Sequence, residues 1–123
     1  MNDYLIVFLG AGIGGMARHG VNFAVMKTGT SFPWHTFIVN VIGSLLMGLL
    51  VSWLTYKGVL SQTWRLFAAT GFLGGFTTFS SFSSDSALLW ERGAALEAAL
   101  YILSSVGVSL AALFLGLAFF KSM

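Results

Sequence analysis

No cysteine occurs in the chain, which excludes a disulfide framework, a thiol nucleophile and a thiolate metal site. Charge is almost as scarce: Asp, Glu, Lys and Arg together make 8% of the residues, against about 25% in ordinary soluble domains. The two histidines, His19 and His35, fall near the ends of apolar runs without metal-ligand spacing, which reads as structural. No nucleophile with a base and no metal set is visible, so intramembrane enzyme chemistry is not expected, and neither is a nucleic-acid partner. Proline appears once, at Pro33, inside a turn.

What is present is hydrophobic, at 57% of the chain, and that marks an all-α integral membrane protein in contact with the lipid bilayer. Four runs carry little or no charge: Tyr4 to Met26 with Arg18, His35 to Tyr56, Leu66 to Trp90 with Asp85, and Ala98 to Phe120. Each reaches the roughly 20 residues that a crossing helix needs, which predicts transmembrane helices over about 4–26, 35–56, 65–90 and 94–120. The turns Thr28 to Pro33, Lys57 to Thr63 and Glu91 to Gly93 are too short to hold another unit, so a single membrane domain over 1–123 is expected. Met1-Asn2-Asp3 carries no positive charge ahead of the first run, which argues against a cleaved signal peptide. Gly10 with Gly14, Ser44 with Gly48, and Gly71 with Gly75 are small-xxx-small pairs of the kind that let membrane helices approach closely.

The third run departs from lipid-facing composition. Gly71-Phe72-Leu73-Gly74-Gly75-Phe76-Thr77-Thr78-Phe79-Ser80-Ser81-Phe82-Ser83-Ser84 is built from glycine, hydroxyl residues and phenylalanine. Glycines and threonines weaken a helix, and freed backbone groups at membrane depth are tolerated only when buried in protein or lining an aqueous path. A helix broken near its middle, at Gly74 to Thr78, and serving as a pore or binding element is therefore expected. Phe79 and Phe82 share a helical face, flanked by Ser80 and Ser83. In the fourth run Tyr101, Ser105 and Ser109 recur every four residues on one stripe, and Leu113 ends it. Either this stripe offers hydroxyls to a pore, or its serines bond their own i−4 carbonyls as packed helix residues.

Basic residues normally fix orientation through an excess in cytoplasmic loops. With four crossings, Lys57, Arg65 and Lys121 fall on one side, and Lys27, Arg92 and Arg18 on the other. An unbiased chain can insert in both orientations, and oppositely oriented copies can pair about a two-fold axis in the membrane plane. If Arg18 is buried, a weak bias remains. Arg18 itself either draws anions to a vestibule or snorkels to the interface.

The stretch from Gly71 to Ser83 resembles the signature of the Fluc (CrcB) fluoride channels, G-x-x-G-G-x-[TS]-T-F-S-[TS]-F in the third helix. Asn40-Val41-Ile42-Gly43, Gly14-Gly15 with Ala17-Arg18, and Pro33-Trp34 with Thr36 also fall where that family carries similar residues. The resemblance spans the chain in length and helix count. It implies an antiparallel, dual-topology homodimer in the bacterial inner (plasma) membrane, with two pores that export cytoplasmic fluoride and so reduce its toxicity. It further implies a structural sodium ion (Na+) at the dimer interface, bound as metal by the backbone carbonyls of Gly74 and Thr77 of each subunit. Fluoride-binding pore residues under the same resemblance are Phe79, Phe82 and Asn40, with Ser80, Ser81, Ser83, Tyr101, Ser105 and Ser109 as further hydroxyl donors and Arg18 at a vestibule. Asp85 stands where the family often has glutamate, which leaves its role open.

Two other function classes compete. A small dual-topology drug exporter needs a membrane-embedded carboxylate in its first helix for proton coupling, and here that helix has none past Asp3. A scaffold subunit explains four packed helices but not the Gly/Thr/Phe/Ser segment.

Overall fold

The computed structural model describes residues 2–123; Met1, the first residue of the expected domain, lies outside them. Helix α1, Asp3–Met26, starts at Asn2, whose side chain accepts a hydrogen bond from the Tyr4 N–H at 2.7 Å and so satisfies one of the helix's free donors. Helix α2 is Trp34–Tyr56 and follows a turn in which Gly29 takes a φ of 70°. The third span opens with α3, Gln62–Arg65, widens into a π-helical stretch over Leu66–Leu73, and returns to α-helix in α4, Gly74–Phe76. After a break, α5 runs Phe79–Glu91. A turn at Gly93, with φ 79°, leads into α6, Ala95–Lys121.

Among the described residues three helices, α1, α2 and α6, are long and apolar enough to cross a membrane. Large apolar side chains such as Phe8, Leu103 and Leu115 are about 70% exposed on them, which suits contact with lipid acyl chains rather than water. The chain is thus an all-helical, multi-pass membrane protein whose third span is bent and interrupted.

The interruption occupies only the end of the expected Gly74 to Thr78 stretch. Gly74 has φ −62° and ψ −38°, and Gly74–Phe76 is helical. The extended residues are Thr77, with ψ 159°, and Thr78, with φ −153° and ψ 121°. Packing explains the difference. A Cβ on Gly14 would collide with the Phe72 carbonyl, and one on Gly75 with the backbone of Ala11. The glycines are spent on the seam between α1 and the third span, where a regular helix is what packs. Helices α2 and α6 meet in the same way at Gly48 and Gly116. A small aromatic core of Phe82, Leu89, Ala98 and Tyr101 joins α5 to α6, with Phe32 and Phe37 packed against it.

Candidate functional site

The break is stabilised by polar groups that replace the helical ladder. Asn40 of α2 grips the backbone of Thr78 from both sides: Thr78 N–H donates to Oδ1 at 2.8 Å, and Nδ2 donates to the Thr78 carbonyl at 3.0 Å. The Thr78 hydroxyl caps α5 by accepting from the Ser81 N–H at 3.1 Å. Both amide donors that an unbroken helix would send to the carbonyls of Gly74 and Thr77 are therefore used elsewhere. Thr77 closes the preceding turn, its N–H and hydroxyl donating to Leu73 O at 3.0 and 2.9 Å.

Around this break lies a groove of about 450 Å³ between α2, the third span and α6. It collects Asn40, Gly74, Thr77, Phe79, Phe82, Ser105 and Ser109, residues far apart in sequence. Phe79 is 78% exposed along it, while Phe82 is 9% exposed, and their rings stand 5.5 Å apart. The hydroxyls of Ser105 and Ser109 are buried without a hydrogen-bond partner, so neither bonds its own i−4 carbonyl. An unpaired hydroxyl in an apolar wall is costly, and these two are open to a hydrogen-bonding ligand. Leu113 also lines the groove, and the polar stripe stops there.

The remaining expected residues sit apart from the groove. Ser80 is exposed and shares a hydrogen bond with the Thr78 hydroxyl at 3.2 Å. Ser81 serves the cap through its backbone. Ser83 is exposed and donates to Phe79 O at 3.0 Å. Arg18 is half-buried on α1. Tyr101 is fully buried, and its ring lies 5.3 Å from that of Phe82 while its hydroxyl points the other way and donates to Asp85 Oδ2 at 3.2 Å.

Asp85 organises a cluster that residue spacing could not reveal. Oδ2 also accepts from the buried Thr36 hydroxyl at 2.7 Å and lies 3.9 Å from His35 Nε2. A second cavity, of about 150 Å³, opens between this cluster and Arg92 near the start of α2. An intramembrane carboxylate was the available signal, but Thr36 and Tyr101, its partners, are 49 and 16 residues away. The Phe82 ring lines the groove and packs on Tyr101, whose hydroxyl reaches Asp85. Asn40, Ser105 and Ser109 line the groove, while Asp85 and His35 line the cavity, with Thr36 bonded to Asp85. Among the described residues no three His, Asp or Glu side chains gather as a metal-binding group, so a cation here would depend on backbone oxygens.

The family described as CrcB-like protein, Camphor Resistance (CrcB), matches residues 5–117. The chain is 55% identical over 120 residues to the Fluoride-specific ion channel FluC of Rhodopseudomonas palustris, covering 97% of each protein. It is 56% identical over 111 residues to the protein of the same name from Methylobacterium nodulans, covering 90% of each. With that of Beijerinckia indica subsp. indica it shares 52% over 126 residues, spanning 100% of this chain and 99% of the relative. These relatives are named as channels, not as enzymes. The helical architecture, the interrupted third span and identity of this extent agree: the chain belongs to the CrcB family.

Proposed function

We infer that the chain forms a fluoride-selective passive channel. The observation that carries this reading is the groove at the break, where an apolar wall holds the unpartnered hydroxyls of Ser105 and Ser109 beside Asn40, Phe79 and Phe82, in a chain whose relatives are named fluoride-specific ion channels. Fluoride is small and strongly hydrated, and removing its water without compensation in a low-dielectric site costs tens of kcal/mol. A trap such as lysine would hold it; weak donors in series let it enter and leave. Hydroxyl hydrogens and the positive edges of the phenylalanine rings are such donors. Asn40 keeps its second Nδ2 hydrogen free for an anion while the first holds Thr78. Among the described residues no second carboxylate lines the groove or the cavity at Asp85, which favours passive conduction over proton coupling.

The same reading includes finer parts. Two copies pair antiparallel in the bacterial inner membrane, giving a dual-topology homodimer with two pores that export fluoride. Support comes from the balanced charge on the two sides, Lys57, Arg65 and Lys121 against Lys27, Arg92 and Arg18, and from the groove, which is open along one side of the protomer and exposes Phe79. For a structural sodium ion the donor set fits: the carbonyls of Gly74 and Thr77 lack their amide donors, and hard cations take oxygen ligands. One copy offers two such oxygens and a symmetric partner two more. When bound, the ion would supply positive charge that offsets converging carbonyl dipoles beside the anion path.

Efflux from liposomes loaded with fluoride or chloride and holding the purified protein tests the reading. Rapid fluoride loss with retention of chloride is expected. Equal release of both anions, or release of neither, refutes it.

A further inference from the structure

Ser44 of α2 forms a small-residue pair with Gly48, but the two residues have different neighbours. A Cβ on Gly48 would collide with the Leu113 carbonyl of α6, which places that glycine on the helix seam. Ser44 is half-buried and lines the groove, one helical turn beyond Asn40. Among the described residues its hydroxyl takes part in no hydrogen bond, unlike that of Thr55 on the same helix, which donates to the Val51 carbonyl at 2.8 Å. Helices α2 and α6 run in the same direction, so their levels can be matched. Asp85 joins Thr36 to Tyr101, Gly48 meets Leu113, and Ser52 Oγ accepts from the Phe120 N–H at 3.2 Å. Carried to the turns between, the offset of the first two pairs sets Asn40 level with Ser105 and Ser44 level with Ser109. All four line the groove. Donors therefore come in two steps about 6 Å apart along the helices, and beyond them Met47 and Leu113 line the groove without a hydroxyl or amide.

Resting on the channel reading of the groove, we propose that Ser44 is a fluoride-binding residue, its hydroxyl donating to the ion together with that of Ser109, one turn beyond Asn40 and Ser105. An ion leaving the first pair gives up donors that water no longer supplies. A single hydroxyl at the next turn replaces them poorly. A second one from α2 lowers that step, and neither carries a charge that would trap the ion. Serine suits the place because it is small and its hydroxyl hydrogen rotates, so the donor can follow the ion from one turn to the next.

Fluoride efflux from liposomes at one protein-to-lipid ratio, read beside the denaturant midpoint in detergent, tests this. Ser44→Ala removes the hydroxyl and should slow efflux about tenfold at the wild-type midpoint, no more than a hydrogen bond to a charged group is worth. Ser44→Thr keeps the hydroxyl, adds a methyl on the groove side, and should stay within about twofold of wild type. Wild-type efflux in Ser44→Ala, or an equal loss in Ser44→Thr, overturns the proposal while leaving the channel intact. Should Ser44→Ala unfold more readily than wild type, Ser44→Cys takes its place, with the same shape and a much weaker donor, and wild-type efflux there overturns the proposal equally. Absence of fluoride efflux from the wild-type protein refutes the channel reading, and this inference with it.

Discussion

Removing the amide of Asn40 tests how the interrupted span is held. The side chain makes two hydrogen bonds to one residue, accepting from Thr78 N–H at 2.8 Å and donating to its carbonyl at 3.0 Å. Asn40→Ala deletes both and leaves a donor and an acceptor without protein partners. A buried group left unsatisfied costs about 1–3 kcal/mol. Asn40 and Thr78 are half-buried and line a groove that water can enter, which keeps the pair near the lower end, at about 2–3 kcal/mol in total. Asn40→Asp separates the two bonds: the carboxylate can still accept from Thr78 N–H, but it meets the Thr78 carbonyl without a donor and adds negative charge to the groove. Denaturant titration in detergent should rank wild type above both variants in stability, and liposome flux should be lost in both. The reasoning is refuted if Asn40→Ala denatures at the wild-type midpoint, because the amide bridge would then contribute nothing to the break.

Phe79→Ile should leave stability within about 0.5 kcal/mol, since the ring is 78% exposed, whereas Phe82→Ile should lose about 1–3 kcal/mol through its fit and its ring contact with Tyr101; both should lose most fluoride flux, and wild-type flux in both would return the rings to packing. A Cβ on Gly74 meets only the Ala69 carbonyl at 3.8 Å, while one on Gly75 meets the α1 backbone. Gly74→Ala should therefore keep the protomer fold and weaken association of two copies, read by light scattering in detergent, whereas Gly75→Ala should lower thermal stability by about 1–3 kcal/mol; equal behaviour of the two contradicts this division. Two lysines added in the Lys57 to Thr63 turn should force a single orientation and abolish flux until an oppositely biased copy is co-expressed; full activity of the biased chain alone rules out dual topology.

The continuous helices were legible because their apolar runs carry few charges and no proline or paired-hydroxyl break. The boundaries expected near 4–26, 35–56 and 94–120 lie within one residue of α1, α2 and α6. The third span was legible as broken within Gly74 to Thr78, and the structure narrows the break to the last two of those residues. Local propensity puts the weakness at Gly74 and Gly75, while close contact with α1 at Gly75 suits a regular helix and Asn40 holds the extended backbone at Thr78. That bond joins residues 38 apart, and no periodicity carries it. Ser105 and Ser109 were readable as a stripe from spacing, yet whether their hydroxyls bond the helix or face the groove depends on rotamers that spacing does not set. Tyr101 belongs to the same stripe and turns to Asp85 instead, because a carboxylate from another helix accepts a hydrogen bond from its hydroxyl.

The central claim is passive conduction of fluoride, and the reversal potential in a planar bilayer tests it most directly. With a tenfold fluoride gradient, equal chloride and equal pH on both sides, the current should reverse at about 59 mV, the full value for a monovalent ion. Imposing a pH gradient at fixed fluoride should not move that potential. A reversal near zero, showing that chloride carries the current, or one that follows the proton gradient would contradict the account.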